Sequence, residues 1–219
     1  MKTLILTGFD GAQYESFAGH TVPLMQAYAD RHGNDFSVVR LTGERPASWM
    51  KVPAMLVALE KYDRVVWIDI DVVIVSPCQD IVAVMEPRSW QALVEHFTEC
   101  GQVPNCGVWV VAKPMQAVLG QAWEQGADYV LHPWWEQAAI MRQMGYAVEP
   151  GPRGRLDEPT ALHERTTFLS PEWNHHPADE NKPKAPNFVH VTQYPDRLGT
   201  IRDLAACAAI CNKRGVPYG

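Results

Sequence analysis

The sequence predicts an α/β fold with a mainly parallel central sheet flanked by helices, and three observations carry that prediction. Short apolar runs alternate with longer stretches whose apolar residues recur at helical spacing, the pattern of strand–helix–strand units. A length of 219 residues with 47% hydrophobic content suits one domain with a real core. One apolar run ends on the acidic triplet Asp69-Ile70-Asp71, and strand carboxyl ends are where α/β sheets bind ligands.

In chain order, Lys2 to Thr7 reads as a first buried strand. From Tyr14 to Arg31 the positions Phe17, Thr21, Leu24, Met25 and Tyr28 make a helical stripe, with Pro23 expected to start or kink the helix. Gly33-Asn34 ends it, and Phe36 to Leu41 reads as a second strand. Val52, Met55, Leu56 and Leu59 predict a helix within Ser48 to Tyr62, followed by a third strand from Arg64 to Ile68. Later strands are expected at Ser89 to Phe97 and Gly107 to Ala112, and later helices at Pro114 to Gln125 and Trp134 to Met144. The stretch from Gly151 to Lys184, rich in Pro, Asp, Glu, His and Gly, reads mostly as loop around a short strand at Thr166 to Leu169. Asn187 to Thr192 is the last strand expected, and Ile201 to Lys213 a closing helix. On that helix Cys207 and Cys211 share one face and read as core packing rather than a metal pair. There is no repeat and no low-complexity segment, so residues 1–219 are expected to form a single domain.

The formal net charge of −6 is opposite in sign to the footprint of a general nucleic-acid binder, so no nucleic-acid partner is expected. A small anion could still be held by a local pocket or a metal. The apolar stretch at Leu4 to Leu6 is too short for a signal peptide, and Asp10 follows quickly. No run approaches the roughly 18 apolar residues that span a bilayer, so no transmembrane segment is expected. Five scattered cysteines favour a reducing compartment over a disulfide framework, which points to a cytoplasmic protein.

The triplet interrupts an otherwise apolar run, Val65 to Val75. Burying bare carboxylates costs several kcal/mol, so they require a cation, strong donors or the surface. At i, i+2 after a strand, Asp69 and Asp71 point to the same side and offer hard oxygen ligands to one divalent ion. The residues alone also admit a pair of solvated turn acids. They match the Asp-x-Asp-x-[Thr/Val] motif of haloacid dehalogenase-like phosphatases as well, with Asp69 as nucleophile. That motif normally follows the first strand of its domain, whereas 68 residues precede Asp69 here.

The run Trp49-Met50-Lys51, a helix, then Tyr62-Asp63-Arg64-Val65-Val66-Trp67-Ile68-Asp69-Ile70-Asp71 resembles glycosyltransferases of the GT-A fold. It is most similar to retaining families such as the galactosyl/xylosyltransferase and glycogenin-like groups. The resemblance implies a nucleotide-binding half at about 1–71 and a donor-sugar and acceptor half at about 72–219. It implies a DxD motif holding Mn2+ or Mg2+ on the donor diphosphate, with Asp69 near ribose and metal and Asp71 a direct ligand.

Further segments extend the resemblance, in order, to about residue 197. Asn105-Cys106-Gly107-Val108-Trp109-Val110 is similar to the strand lining the donor-sugar pocket. There the Asn105 amide suits sugar hydroxyls and Gly107 permits close backbone approach. Glu136-Gln137 resembles an Asp-Gln pair that meets the donor sugar and its reacting carbon, with Glu replacing Asp. By the residues alone, Glu136 is also an ordinary helix N-terminal acid.

Phe188-Val189-His190-Val191-Thr192 resembles the late strand whose His completes the metal site, and imidazole beside carboxylates suits Mn2+ better than Mg2+. A strand histidine is also commonly structural. The family's glycine and lysine after this His are not matched, and Arg197 is the cation available in their place. Trp173-Asn174 resembles a Trp-Asn pair preceding that strand, while His175-His176 reads as part of a solvated loop. Thr7, Gly8 and Tyr14 fall where such enzymes hold the nucleotide base. Lys51 falls at a position that contacts the donor, and a solvated helix lysine is the plainer alternative.

The resemblance implies a hexosyl- or pentosyltransferase acting on a UDP- or GDP-sugar, with a glycan, lipid-linked or small-molecule acceptor. A non-catalytic sugar-nucleotide-binding domain is the third reading, since eight tryptophans offer stacking surface as well as core.

Overall fold

The apolar runs become strands in the computed structural model, which describes residues 1–148, 151 and 153–214. The first half alternates as β1 (Thr3–Phe9), α1 (Gly11–His32), β2 (Asp35–Arg40), α2 (Ala47–Lys61), β3 (Arg64–Ile68) and β4 (Val72–Ile74). The second half runs β5 (Gln91–Thr98), β6 (Gly101–Ala112), α3 (Met115–Glu124), α4 (Gly126–Tyr129), α5 (Trp135–Met144), β7 (Tyr146–Val148) and β8 (Gly154–Leu156). It closes with α6 (Ala161–Glu164), β9 (Thr166–Leu169), β10 (Phe188–His190) and α7 (Arg197–Arg214).

The main sheet follows the order β2-β1-β3-β6-β5-β9. β1 pairs in parallel with β2 and β3, and β5 in parallel with β9. β6 alone on this path runs against its neighbours, β3 and β5. The sheet is therefore mainly parallel, and the carboxyl ends of β1 and β3 open on the same edge. β4 and β10 form a separate antiparallel pair, with Val72 opposite His190.

Alternation along each strand divides the core between the two faces of the sheet. Leu4 and Leu6 of β1, Val65 and Trp67 of β3, and Trp109 and Val111 of β6 join Trp49, Met55 and Ile140 on one face. Ile5, Val66, Ile68, Val108 and Val110 join Met25, Tyr28 and Phe188 on the other. Such near-complete burial on both faces is what a sheet covered by helices requires.

The structure departs from the sequence reading at four places. Pro23 does not start a helix, for α1 runs through it from Gly11 to His32. An internal proline costs ~3 kcal/mol, and each large side chain buried returns about 1.5–3 kcal/mol. Burial of Phe17, Met25 and Tyr28 along the same face outweighs that cost. Gly33 then ends α1 at φ 68°, where its N–H reaches the Ala29 and Asp30 carbonyls.

Cys207 is exposed and Cys211 only half-buried, so they are not the packing face of α7. That face is Ile201, Ala205 and Ala208, which meets Phe17 of α1. The three-residue β4 follows the acidic triplet directly, where no separate strand was expected. Residues 151–184 hold β8 and α6 besides the expected β9. β8 approaches β6 closely: Gly101, at φ 89°, would place a Cβ 2.2 Å from the Gly154 carbonyl oxygen. Among the described residues no helix is long and apolar enough to cross a membrane.

Candidate functional site

Beyond Ile68, the end of β3, the chain stays tied to its neighbours through the acidic triplet. The Asp69 N–H donates to the Gly107 carbonyl at 2.7 Å, and the Val191 N–H donates to the Asp71 carbonyl at 2.9 Å. The Thr21 hydroxyl donates to the Ile70 carbonyl at 2.9 Å, and the Ile70 side chain is buried. Both aspartates are thereby carried to one cleft.

Each carboxylate divides its two oxygens between fixed cations and the site. Asp69 Oδ1 accepts from Trp67 Nε1 at 2.6 Å and from Lys51 Nζ at 3.0 Å. Asp71 Oδ2 accepts from the Arg197 guanidinium at 2.5 Å. The other oxygens face His190: Asp69 Oδ2 lies 3.9 Å and Asp71 Oδ1 3.4 Å from its Nε2. One ligand atom from each of the three residues falls within 4.8 Å of the others, so the set can hold one metal ion. The opposite ring nitrogen, Nδ1, lies 3.1 Å from Asn174 Oδ1.

Electrostatics match this geometry. Burial favours neutral Asp71, but His190 and Arg197 hold its carboxyl below the ordinary carboxylate range. Burial also works against charged His190, and Asp71 foremost reverses that, raising it above the ordinary histidine value. Lys51 is buried with Nζ 3.0 Å from Asp69 and 2.9 Å from Glu136, so the two acids hold it charged despite desolvation. Glu136 is pushed up by burial, an effect Lys51 only partly offsets. Its second oxygen is buried without a partner.

A cleft of about 890 Å³ gathers Gly8, Tyr14, Lys51, Asp69, Asp71, Asn105, Gly107, Glu136, Gln137, His190 and Arg197. Thr7 is not among its lining residues. It is buried within β1 with its hydroxyl unpartnered, and the chain reaches the cleft one residue later, at Gly8. Gly8 has to be small, since a Cβ there would lie 2.8 Å from Val39 and 2.9 Å from Leu41. Lys51 is no solvated helix lysine but a buried bridge between two acids. Arg197 is committed to Asp71 and to the Val191 carbonyl at 3.1 Å. Gln137 accepts the Cys106 N–H at 3.1 Å.

Sequence reasoning missed part of this wall. His175 bridges Val189 and so extends the β10 edge. His176 is consequently buried, lines the cleft and stands with its ring 6.1 Å from that of His190, rather than in a solvated loop. Beyond it His96 is paired with Asp179 at 2.6 Å. Adjacent histidines were the available signal, but the single bridge that buries one of them leaves no periodic trace. Trp67, which donates to Asp69, shows its part only in these contacts; Asn174, expected from the resemblance of Trp173-Asn174, meets His190.

No family model matches the chain, and no curated protein matches it. Solved structures do match. A glycosyltransferase involved in glycosylation of the major capsid of PBCV-1 is similar at 20% identity and TM-score 0.69, over 93% of this chain and 100% of that one. The galactosyltransferase LgtC, solved with donor and acceptor sugar analogues, is similar at 11% identity and TM-score 0.57, over 93% and 95%. Mouse xyloside xylosyltransferase 1 is similar at 10% identity and TM-score 0.51, over 86% and 97%. The fold of this chain is the GT-A glycosyltransferase fold, and the triplet follows the third strand of that fold, not the first strand of a haloacid dehalogenase-like domain.

Proposed function

We propose that the chain is a metal-dependent, retaining glycosyltransferase that moves a hexosyl or pentosyl group from a UDP- or GDP-sugar to a glycan, lipid-linked or small-molecule acceptor. One observation carries the reading: the uncommitted oxygens of Asp69 and Asp71 and the Nε2 of His190 converge in the large cleft at the β3 edge of a GT-A fold. Two oxygens and an imidazole suit Mn2+ better than Mg2+, which prefers oxygen alone. Such an ion supplies Lewis-acid neutralisation of the departing nucleoside diphosphate.

The chain's own residues do the rest in this reading. Residues 1–71 bring Gly8 and Tyr14 to the nucleotide side of the cleft. Residues 72–219 bring Asn105, Gly107, Glu136 and Gln137 to the sugar side. Gln137 uses its carbonyl oxygen on Cys106, so its amide N–H groups are the part offered to a sugar hydroxyl. Glu136 is held against Lys51 in the cleft wall. Lys51 and Arg197 hold the back of each aspartate and limit the negative charge the site presents to a diphosphate. Five unpaired cysteines, two of them exposed, support placing the reaction in the cytoplasm.

A thermal-shift screen of UDP, GDP and their sugars, with and without Mn2+, tests the proposal. One base should stabilise the protein only with metal, by about 2.7 kcal/mol at a hundredfold excess over Kd. Absence of any response to every nucleoside diphosphate would overturn it, as would an Asp71→Asn variant that keeps the full metal-dependent shift.

A further inference from the structure

We infer that Asn174 is a positioning residue that sets the tautomer of His190, so that Nε2 is presented unprotonated toward Asp69 and Asp71. At one backbone group the direction of donation is not open to choice. The Gly107 N–H can only donate, and it meets Asn105 Oδ1 at 2.8 Å. The Asn105 side chain is therefore oriented with its oxygen on that contact. The same oxygen lies 2.8 Å from the Asn174 amide nitrogen, which must then donate to it. With the nitrogen of Asn174 so used, its oxygen faces His190 Nδ1 at 3.1 Å, and an amide oxygen only accepts. Nδ1 consequently carries the hydrogen.

Asp71 and Asp69, 3.4 and 3.9 Å from Nε2, favour a ring protonated on both nitrogens; when the ring gives up one hydrogen, Asn174 retains the one on Nδ1, and the Nε2 lone pair is the one released toward the aspartates. Partners of the non-ligating nitrogen fix a histidine in this way in metal sites generally. Asn174 is fully buried and His190 nearly so, so water is not available to take over the role. Gly107 enters twice, since a Cβ there would lie 2.4 Å from the His190 ring and 2.9 Å from Asn105 Oδ1.

The inference rests on the metal-site reading above, but its first test needs no metal. Nitrogen NMR of histidine-labelled, metal-free protein, at a pH high enough to keep His190 neutral, should show hydrogen on Nδ1 and none on Nε2. Asn174→Leu, of similar volume but without an acceptor, should shift the ring toward the other tautomer. A wild-type ring protonated at Nε2, or an Asn174→Leu ring unchanged, would overturn the inference.

Mn2+ alone, titrated by electron paramagnetic resonance, gives the second readout. Asn174→Leu should bind about 10–100-fold more weakly. His190→Ala separates the two ideas. If that variant binds Mn2+ as wild type does, the metal-site reading fails while the NMR result still decides the tautomer. If Asn174→Leu does not fold, the wild-type spectrum still decides it.

Discussion

Lys51 stands between two acids that arrive from different parts of the chain, and its removal should show how much compensation it provides. Lys51→Met leaves Asp69 and Glu136 without their shared cation, and breaking a buried pair in this way costs about 3–5 kcal/mol. Because Asp69 keeps some exposure, the lower end of that range is expected in urea unfolding. Adding Glu136→Gln removes one of the stranded charges and should recover much of the loss.

His176 offers a separate test through pH. Burial foremost, and then the neighbouring His190 and His96, push its folded-state value down to about 3 from an ordinary value near 6.5. The unfolded chain therefore binds a proton first as pH falls. The stability His176 contributes is complete above about pH 6.5 and is lost toward its folded value. Between pH 6.5 and 5 the difference between wild-type and His176→Leu stability curves should slope by up to about 1.4 kcal/mol per pH unit, wild type losing more.

Among elements, α5 bears both Glu136 and Gln137, and each of its ends is under a constraint. At its end, Gly145 adopts φ 96°, and a Cβ there would sit 1.8 Å from the Glu158 carbonyl oxygen. Gly145→Ala should cost more than about 1 kcal/mol, lowering Tm by at least about 2–4 °C in calorimetry. At its start Trp135 holds φ 44°, a region that costs a bulky residue about 1–3 kcal/mol. Trp135 lines the cleft, as does Gln193, the other non-glycine residue at positive φ. Trp135→Gly should relieve that strain and leave Tm unchanged or higher while weakening nucleotide-sugar binding. A Tm loss as large as that of Gly145→Ala would show that packing of the indole, not its backbone, matters there.

At this scale the sequence was most legible where a run of apolar residues is bounded by polar ones. Arg64 to Ile68 and Thr166 to Leu169 were expected at the bounds the strands occupy. β4 and β8 were not anticipated, because three residues show no period and their pairing is decided by distant partners.

At the scale of the whole molecule, what could be read in advance was residue chemistry, and what could not was residue company. Asp69 and Asp71 stand out by type and place, and His190 through the resemblance of its strand to that of a known family. That Asn174 serves Asn105, 69 positions away, or that Lys51 lies between two acids, follows only once the chain has folded back on itself. The ion pair between Asp71 and Arg197 spans 126 positions. That span has a consequence during synthesis. A ribosome adding about 5–20 residues per second makes Asp71 roughly 6–25 s before Arg197 exists to meet it. Over that interval the acidic turn has no guanidinium partner, and for nearly all of it no imidazole partner either. The carboxylate of Asp71 thus stays without its fixed counter-charge until α7 begins to be made.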